Sequence, residues 1–415
     1  MLLLSHPTGN TFSRAAARAF HARGLLQEFD TCFIWNPDSP LARLLPPSLV
    51  DQLNRRSFVE IPGRLQHSHP WRELLRLSAV HHALPWLKRH ERGPLSVDGV
   101  YRSFDRHVAA RLPSLEGLQA VYAYEDAAFH TFRSARALGL RRYYDLPIGH
   151  WRSAQRIFAE ERDLQPSWAC TLTGLRDSPD KLARKDEELA LADSVIVPSQ
   201  FVRSTLLDHP SFSSPVHVVP FGSPPALREP PPTPTSGPLR VLYVGSLGQR
   251  KGLSYLLDAI KALGSQLSLT LIGRPTSPDC APLNAALQSH PWIPSLPNAA
   301  ILAQMSRHDV LVLPSLFEGF ALVISEALSQ GLPVIATPNS GATESVRDGK
   351  EGFLVPIRSS QAIAERLQWL VDHREQLAAM REACLDRARE LSWTVYEDRL
   401  CASVRQAGEP AAPLG

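Results

Sequence analysis

The chain has 415 residues, 44% of them hydrophobic and 20% charged, too long for one ordinary core and suited to two domains of about 200 residues each. A formal net charge of +3 lacks the basic field of a nucleic-acid binder, so nucleic acid is not an expected partner. The five cysteines, Cys32, Cys170, Cys280, Cys384 and Cys401, show no CxxC or Cys/His spacing, which argues against a zinc centre or disulfide framework.

The first residues, Met1-Leu2-Leu3-Leu4-Ser5, carry no basic stretch and too short an apolar run for a signal segment. No apolar run approaches the ~20 residues of a spanning helix. A soluble, cytoplasmic protein, at most peripheral to a membrane, is the expectation. Leu2 to Leu4 reads as a strand, followed by a loop at Gly9 and a helix through Phe12 to Leu25. Thr31 to Trp35 and Ala120 to Ala123 read as further strands. Residues 43–92 are rich in Arg, His, Leu and Pro and yield no assignable helix. Within them Arg55, Arg56, Arg64, Arg72 and Arg76, mixed with Phe58, Trp71, Leu74 and Leu75, read as a solvated helix or a basic amphipathic surface. Glu125, Asp126 and His130 form a polar cluster, solvated or acceptor-binding. Glu187-Glu188 reads as a surface face, and Ser194 to Val197 and Val216 to Val219 as strands.

Residues 224–238, PPALREPPPTPTSGP, admit neither helix nor central strand, because proline fixes φ and lacks the amide. They divide a first domain, 1–223, from a second beginning at Leu239. There Leu239 to Val244 is a buried-strand run closed by Gly245. Helical and strand patterns then alternate: helix from Leu253, strand Leu267 to Ile272, helix Ala299 to Met305, strand Val310 to Leu313, helix Ala321 to Gln330, strand Val334 to Ala336. This alternation demands parallel strands with helical crossovers, a doubly wound α/β sheet. Ligands of such sheets sit beyond the carboxyl ends of the strands.

Two segments at those ends carry chemistry. In Pro314-Ser315-Leu316-Phe317-Glu318-Gly319-Phe320-Ala321-Leu322, a strand ends, a turn follows and a helix begins, offering free amides and a favourable dipole to an anion. Glu318 and Glu326 flank that turn, as a solvated cap and helix face or as ligand-binding carboxylates. Glu326 lies among Ile324, Ala327 and Leu328, where burial is costly without a polar partner such as ribose hydroxyls. In Gly245-Ser246-Leu247-Gly248-Gln249-Arg250-Lys251-Gly252, adjacent cations follow a strand, as a solvated loop or as groups meeting the charge that grows on a leaving diphosphate.

The E-x7-E spacing within PSLFEGFALVISEALSQGLPVIA, with VLYVGSLGQRKGLSYLLDAI and GATESVRDGKEGFLVP, resembles the family 4 retaining glycosyltransferases of GT-B fold. The likeness is clear from about Leu239 to Gly352 and weaker beyond. It implies two Rossmann-like domains facing across a cleft, with 239–390 binding a nucleotide-sugar and 391–415 crossing back to the first domain. It places Glu318 on the donor sugar, Glu326 on the ribose, and the amides of Gly319, Phe320, Ala321 and Leu322 at the sugar and diphosphate. Lys251 and Arg250 would stabilise the diphosphate. Ser246 stands where the family commonly has arginine, and Arg250 or Arg274 is left to supply that charge. Gly9 resembles the loop opposite the donor, its amides near the diphosphate. His150, backed by Asp145, occupies the region where relatives often place a histidine.

The expected activity is retaining transfer of a sugar from a nucleotide-diphosphate sugar, UDP- or GDP-linked, to a glycan, lipid-linked or small-molecule acceptor. No cofactor is expected, and no Asp-x-Asp pair follows a strand, so metal independence is expected too. A nucleotide-sugar epimerase of the same fold and a non-catalytic sugar-nucleotide-binding subunit are the alternatives.

Overall fold

Apolar runs such as Leu2–Ser5 and Val310–Leu313 are buried on both faces, which only a sheet covered by helices on each side can provide. In the computed structural model, which describes residues 1–43, 45–54, 56–81, 85–210, 212–233 and 236–406, two such sheets form. The first contains β1 (Leu2–Ser5), β2 (Leu26–Thr31), β3 (Gln66–Ser68), β4 (Ala120–Tyr124), β5 (Arg141–Asp145), β6 (Ser194–Val197) and β7 (Val216–Val218), in the order β3-β2-β1-β4-β5-β6-β7. The second contains β8 (Leu239–Val244), β9 (Leu267–Ile272), β10 (Trp292–Ile293), β11 (Val310–Leu313), β12 (Val334–Ala336) and β13 (Gly352–Leu354), in the order β10-β9-β8-β11-β12-β13. The pairings are parallel throughout. Strand order reverses between β1 and β4 and between β8 and β11, so each sheet opens a ligand crevice at its carboxyl edge.

The crossovers of the first half include α1 (Thr11–Ala22), α2 (Pro47–Asn54), α3 (Trp71–His81), α4 (Val97–Arg111), α5 (Phe129–Ala137), α6 (Trp151–Leu164), α7 (Pro179–Leu191) and α8 (Gln200–Thr205). Those of the second are α9 (Leu253–Leu263), α10 (Ala281–Ser289), α11 (Asn298–Met305), α12 (Leu322–Ser329), α13 (Ser360–Asp372), α14 (Gln376–Glu390) and α15 (Trp393–Gln406). Among the described residues no helix is long and apolar enough to cross a membrane.

Packing crosses the sequence divide in both directions. Helix α6 and the turn after it put Ile157, Phe158, Trp168 and Leu172 into the core of the second sheet, although they precede β8 by many residues. Helix α15 returns to α1, where Tyr396, Leu400 and Val404 join Phe20 and Tyr143, and the Tyr143 hydroxyl donates to the Val404 carbonyl at 2.9 Å. The proline-rich stretch lies on the second domain, with the Leu227 amide donating to Ser329 at 2.9 Å. Pro234 and Thr235 of that stretch, and residues 407–415 of the C-terminal segment, lie outside the described residues.

Three expectations need correction. The second strand is Leu26–Thr31 rather than Thr31 to Trp35, because Leu26 and Phe29 pair beside Leu2 and Leu4. Trp35 instead leaves the sheet, its indole donating to Asn54 at 3.1 Å. Glu188 is not a surface residue: it is fully buried and accepts from the Asp126 amide at 2.9 Å and the Tyr144 hydroxyl at 3.1 Å. The arginines near α3 do not form one basic face, since Arg56 and Arg76 both close on the buried Glu73 at 2.7 Å. Arg55 lies outside the described residues.

Candidate active site

The carboxyl ends of β8 and β11 bring the two chemistry-bearing segments together. After β8 the chain turns through Gln249–Lys251, and Gly252 at φ 66° starts α9. A side chain there is excluded, because a Cβ would stand 2.0 Å from the Pro314 carbonyl oxygen. The Leu316 amide donates to the Arg250 carbonyl at 2.9 Å, tying this loop to the exit of β11. Glu318 therefore meets both cations: Arg250 and Lys251 each pair with its Oε1, and Arg250 also donates to the Phe317 carbonyl at 3.1 Å.

The electrostatics follow from that pairing. Burial alone would raise the Glu318 carboxyl, but Lys251 and then Arg250 more than offset it and hold the carboxyl below its ordinary range. Lys251 is 8% exposed. Burial lowers its ammonium, opposed by Glu318 and reinforced by Arg250. The three form a compact charged group at the mouth of the crevice.

Glu326 lies one helical face further along α12, half-buried, and accepts from Asn298 at 2.8 Å. Burial raises its carboxyl, and Asn298 only partly counters that. Of the four turn amides singled out, that of Ala321 donates to the Ser340 carbonyl at 2.9 Å. Phe320 and Leu322 turn their side chains toward the first domain, with the Phe320 ring 5.6 Å from Phe221. Gly319 packs so closely that a Cβ would meet the Pro147 carbonyl oxygen at 1.7 Å. Its own carbonyl accepts from the Ser199 hydroxyl at 2.7 Å across the cleft.

Ser246 holds its carbonyl toward the Tyr243 hydroxyl at 2.8 Å. Arg274 is exposed and contributes its backbone, its carbonyl accepting from Leu247 at 2.9 Å. Arg250 is thus the residue whose guanidinium reaches the Glu318 group.

Two first-half assignments change. The amides of Thr8 and Gly9 are not turned to a ligand: both donate to Nδ1 of the buried His6, at 3.1 and 2.8 Å. Burial lowers His6 to about 3, which keeps that nitrogen unprotonated and able to accept. Asp145 does not back His150; it is buried and accepts from Tyr122 at 2.5 Å. His150 itself is 2% exposed, with Nε2 3.4 Å from Asp186, and burial lowers it to about 4. Its ring is closed off as a neutral group before α6 rather than presented to the crevice.

A cavity of about 160 Å³ between the halves is lined by Glu125 of the polar cluster, with Trp151, Asp177 and Lys185, which the sequence did not single out, on one side, and by Arg250 and Phe317 on the other. Lys185 pairs with Glu125 at 3.1 Å, both nearly buried. Two carboxylate–histidine groups have metal-ligand geometry among the described residues, Glu28/Asp30/His67 and His90/Glu91/Asp177. The protein's own cations already occupy them: Arg111 is 3.0 Å from Asp30 and Lys181 is 2.9 Å from Asp177.

Known proteins give a consistent comparison. The structure is similar over 98% of its length to sucrose-phosphate synthase from Thermosynechococcus elongatus, covering 98% of that chain at 18% identity and a TM-score of 0.66. It is similar over 97% of its length to Anabaena HepE in complex with UDP and glucose, covering 99% of that chain at 16% identity and a TM-score of 0.62. The chain thus has the GT-B fold, two Rossmann-like domains facing across a cleft. Residues 228–387 match the family model described as glycosyl transferases group 1. Among curated relatives, D-inositol 3-phosphate glycosyltransferase of Corynebacterium glutamicum is 29% identical over 180 residues, 40% of this chain and 43% of the relative. Glycogen synthase of Mycobacterium tuberculosis is 31% identical over 163 residues, 38% of this chain and 39% of the relative. The matches thus span about two-fifths of the relatives' length.

Proposed function

We propose that the protein is a retaining glycosyltransferase that takes a sugar from a nucleotide-diphosphate sugar, UDP- or GDP-linked, and passes it to a hydroxyl of a glycan, lipid-linked or small-molecule acceptor. The observation that carries this reading is the convergence of Arg250, Lys251 and Glu318 at the carboxyl ends of β8 and β11, with Glu326 further along α12. The diphosphate would displace Glu318 from the two cations. Glu318 would then turn to the sugar, and Glu326 to the ribose hydroxyls.

In the step itself the bond from the anomeric carbon to the diphosphate breaks and one to the acceptor oxygen forms on the same face. The acceptor's proton passes to the departing phosphate oxygen. Charge on the diphosphate grows toward the transition state, so Arg250 and Lys251 stabilise that state more than the bound donor. No side chain needs to act as nucleophile and no metal ion is required. Strict loss of transfer on chelation, restored by manganese, would overturn the metal-independent part.

The acceptor end would lie in the cavity between Glu125–Lys185 and Arg250, on the first-domain side of the donor. Helix α3 exposes Trp71 at 71% and Leu75 at 57%, beside the exposed Arg72. That surface supports peripheral contact with an anionic membrane that carries a lipid-linked acceptor.

Thermal unfolding with UDP, GDP and ADP tests the donor site. A nucleotide at a hundred times its Kd stabilises by about 2.7 kcal/mol. One nucleotide is expected to raise the melting temperature, and Glu326→Ala to lose most of that rise. No shift with any of the three would overturn the reading, and a shift without turnover on any acceptor would favour the non-catalytic subunit.

A further inference from the structure

We infer that Glu161, on α6 of the first half, is a positioning residue for the diphosphate-binding loop of the second, an inference that rests on the donor-site reading above. Glu161 is fully buried. Its Oε1 accepts from the Gln249 side-chain amide at 2.7 Å and from the Tyr255 hydroxyl at 2.9 Å, and its Oε2 accepts from Arg358 Nε at 2.8 Å. Gln249 immediately precedes Arg250 and Lys251.

Gln249 has almost no freedom left. It too is fully buried, and its side-chain nitrogen also donates to Ser254 Oγ at 2.6 Å while its oxygen accepts from the Ser254 amide at 3.2 Å. Its backbone amide donates to Thr171 Oγ1 at 2.9 Å, and that hydroxyl donates onward to the Trp168 carbonyl at 2.7 Å. Side chain and main chain of the residue before the cations are thus both held by α6 and the turn that follows it. On the opposite side the close approach of Gly252 to Pro314 blocks any shift toward the sheet.

This explains why a segment that precedes β8 by so much sequence is built into the second core. Phe158, Trp168 and Leu172 anchor α6 and its turn there, so Glu161 and Thr171 travel with the loop they hold. Buried polar networks are stiff only when every member is satisfied, and Arg358 pairs with Glu161 inside this one.

The test is the affinity of the full chain for UDP, GDP and ADP against that for uridine, guanosine and adenosine, measured calorimetrically on Glu161→Gln and Thr171→Val. Loss of loop position should weaken the diphosphate that the unaltered chain binds by about tenfold, the effect of one buried hydrogen bond to a charged group. Affinity for the matching nucleoside, which lacks the groups that meet Arg250 and Lys251, should not change. Adding Gln249→Ala to Glu161→Gln should cost less than the sum of the single effects. Equal losses for nucleoside and diphosphate, or no loss in a folded variant, would overturn the positioning role. Should Glu161→Gln fail to fold, Thr171→Val decides by the same split. If the unaltered chain binds none of the three diphosphates, the donor-site reading fails and this inference falls with it.

Discussion

The hydroxyl of Ser199 donates to the carbonyl of Gly319 at 2.7 Å, joining the first residue ahead of α8 to the turn between the two site carboxylates. The same oxygen accepts from the Val202 amide at 3.2 Å, so it caps α8 while it bridges the cleft. Ser199→Ala should destabilise the protein by about 1–2 kcal/mol through loss of the cap and the bridging bond. Donor affinity should fall by a few-fold as well, since the Gly319 turn loses its tether. Ser199→Thr, which keeps the hydroxyl, should restore both. Unchanged donor affinity in Ser199→Ala would confine the residue to its capping role.

Arg250 and Lys251 should matter more to rate than to binding. Lys251→Ala should lower kcat by about 10²–10³-fold, the loss seen when one preorganised charge partner leaves a transition state. Arg250→Ala should behave alike, because its guanidinium joins Lys251 on Glu318 while Ser246 offers no cation in the same loop. The double variant Ser246→Arg/Arg250→Ala should then recover part of the lost rate. Steady-state kinetics with a purified acceptor distinguish these outcomes. A rise in KM with kcat intact would mean that the cations bind ground and transition states equally.

Lys185 and Glu125 lead to a different expectation, because they line the cavity opposite Arg250 and pair with each other at 3.1 Å. Lys185→Met and Glu125→Gln should raise the acceptor KM by about tenfold, the cost of leaving a buried polar partner unsatisfied. Donor hydrolysis without acceptor should be unchanged. Equal loss of hydrolysis and transfer would move this pair from acceptor recognition to fold maintenance.

How much of this was legible beforehand depended on how far apart the partners stand in the chain. Strands β8 and β11 are covered on both faces, so their continuous apolar runs announce themselves. Glu318, Lys251 and Glu326 stand out because spacing after a strand is a local signal. Strand β2 hid because Glu28 and Asp30 look like surface residues; both are held by Arg111, some eighty residues later, at 2.5 and 3.0 Å. Glu188, Glu161 and Ser199 were equally opaque, since each is explained by a partner between 60 and 197 residues away. The Gly9 loop misled for a local reason: a histidine three residues upstream takes up the amides that a ligand was expected to use.

Glu188 leads to a prediction about pH. Burial, with Asp126 and Asp105 nearby, raises its carboxyl from an ordinary 4.5 to about 8. The folded pKa thus lies above the unfolded one, so the folded chain holds a proton that the unfolded chain releases across that interval. The contribution is fully present below pH 4.5 and is lost as the pH rises to about 8. Asp145, raised by burial from 3.8 to about 7, acts in the same direction. His6, lowered by burial from 6.5 to about 3, acts in the opposite one, losing stability as the pH falls below 6.5. The informative quantity is therefore the difference between Glu188→Gln and the unaltered chain, in which the shared terms cancel. Urea unfolding at pH steps between about 5 and 8 should show the unaltered chain losing stability relative to Glu188→Gln as pH rises. A difference that stays constant over that range would mean that Glu188 is ionised in the folded protein and that its buried charge is balanced by Arg184 or the amides it accepts from.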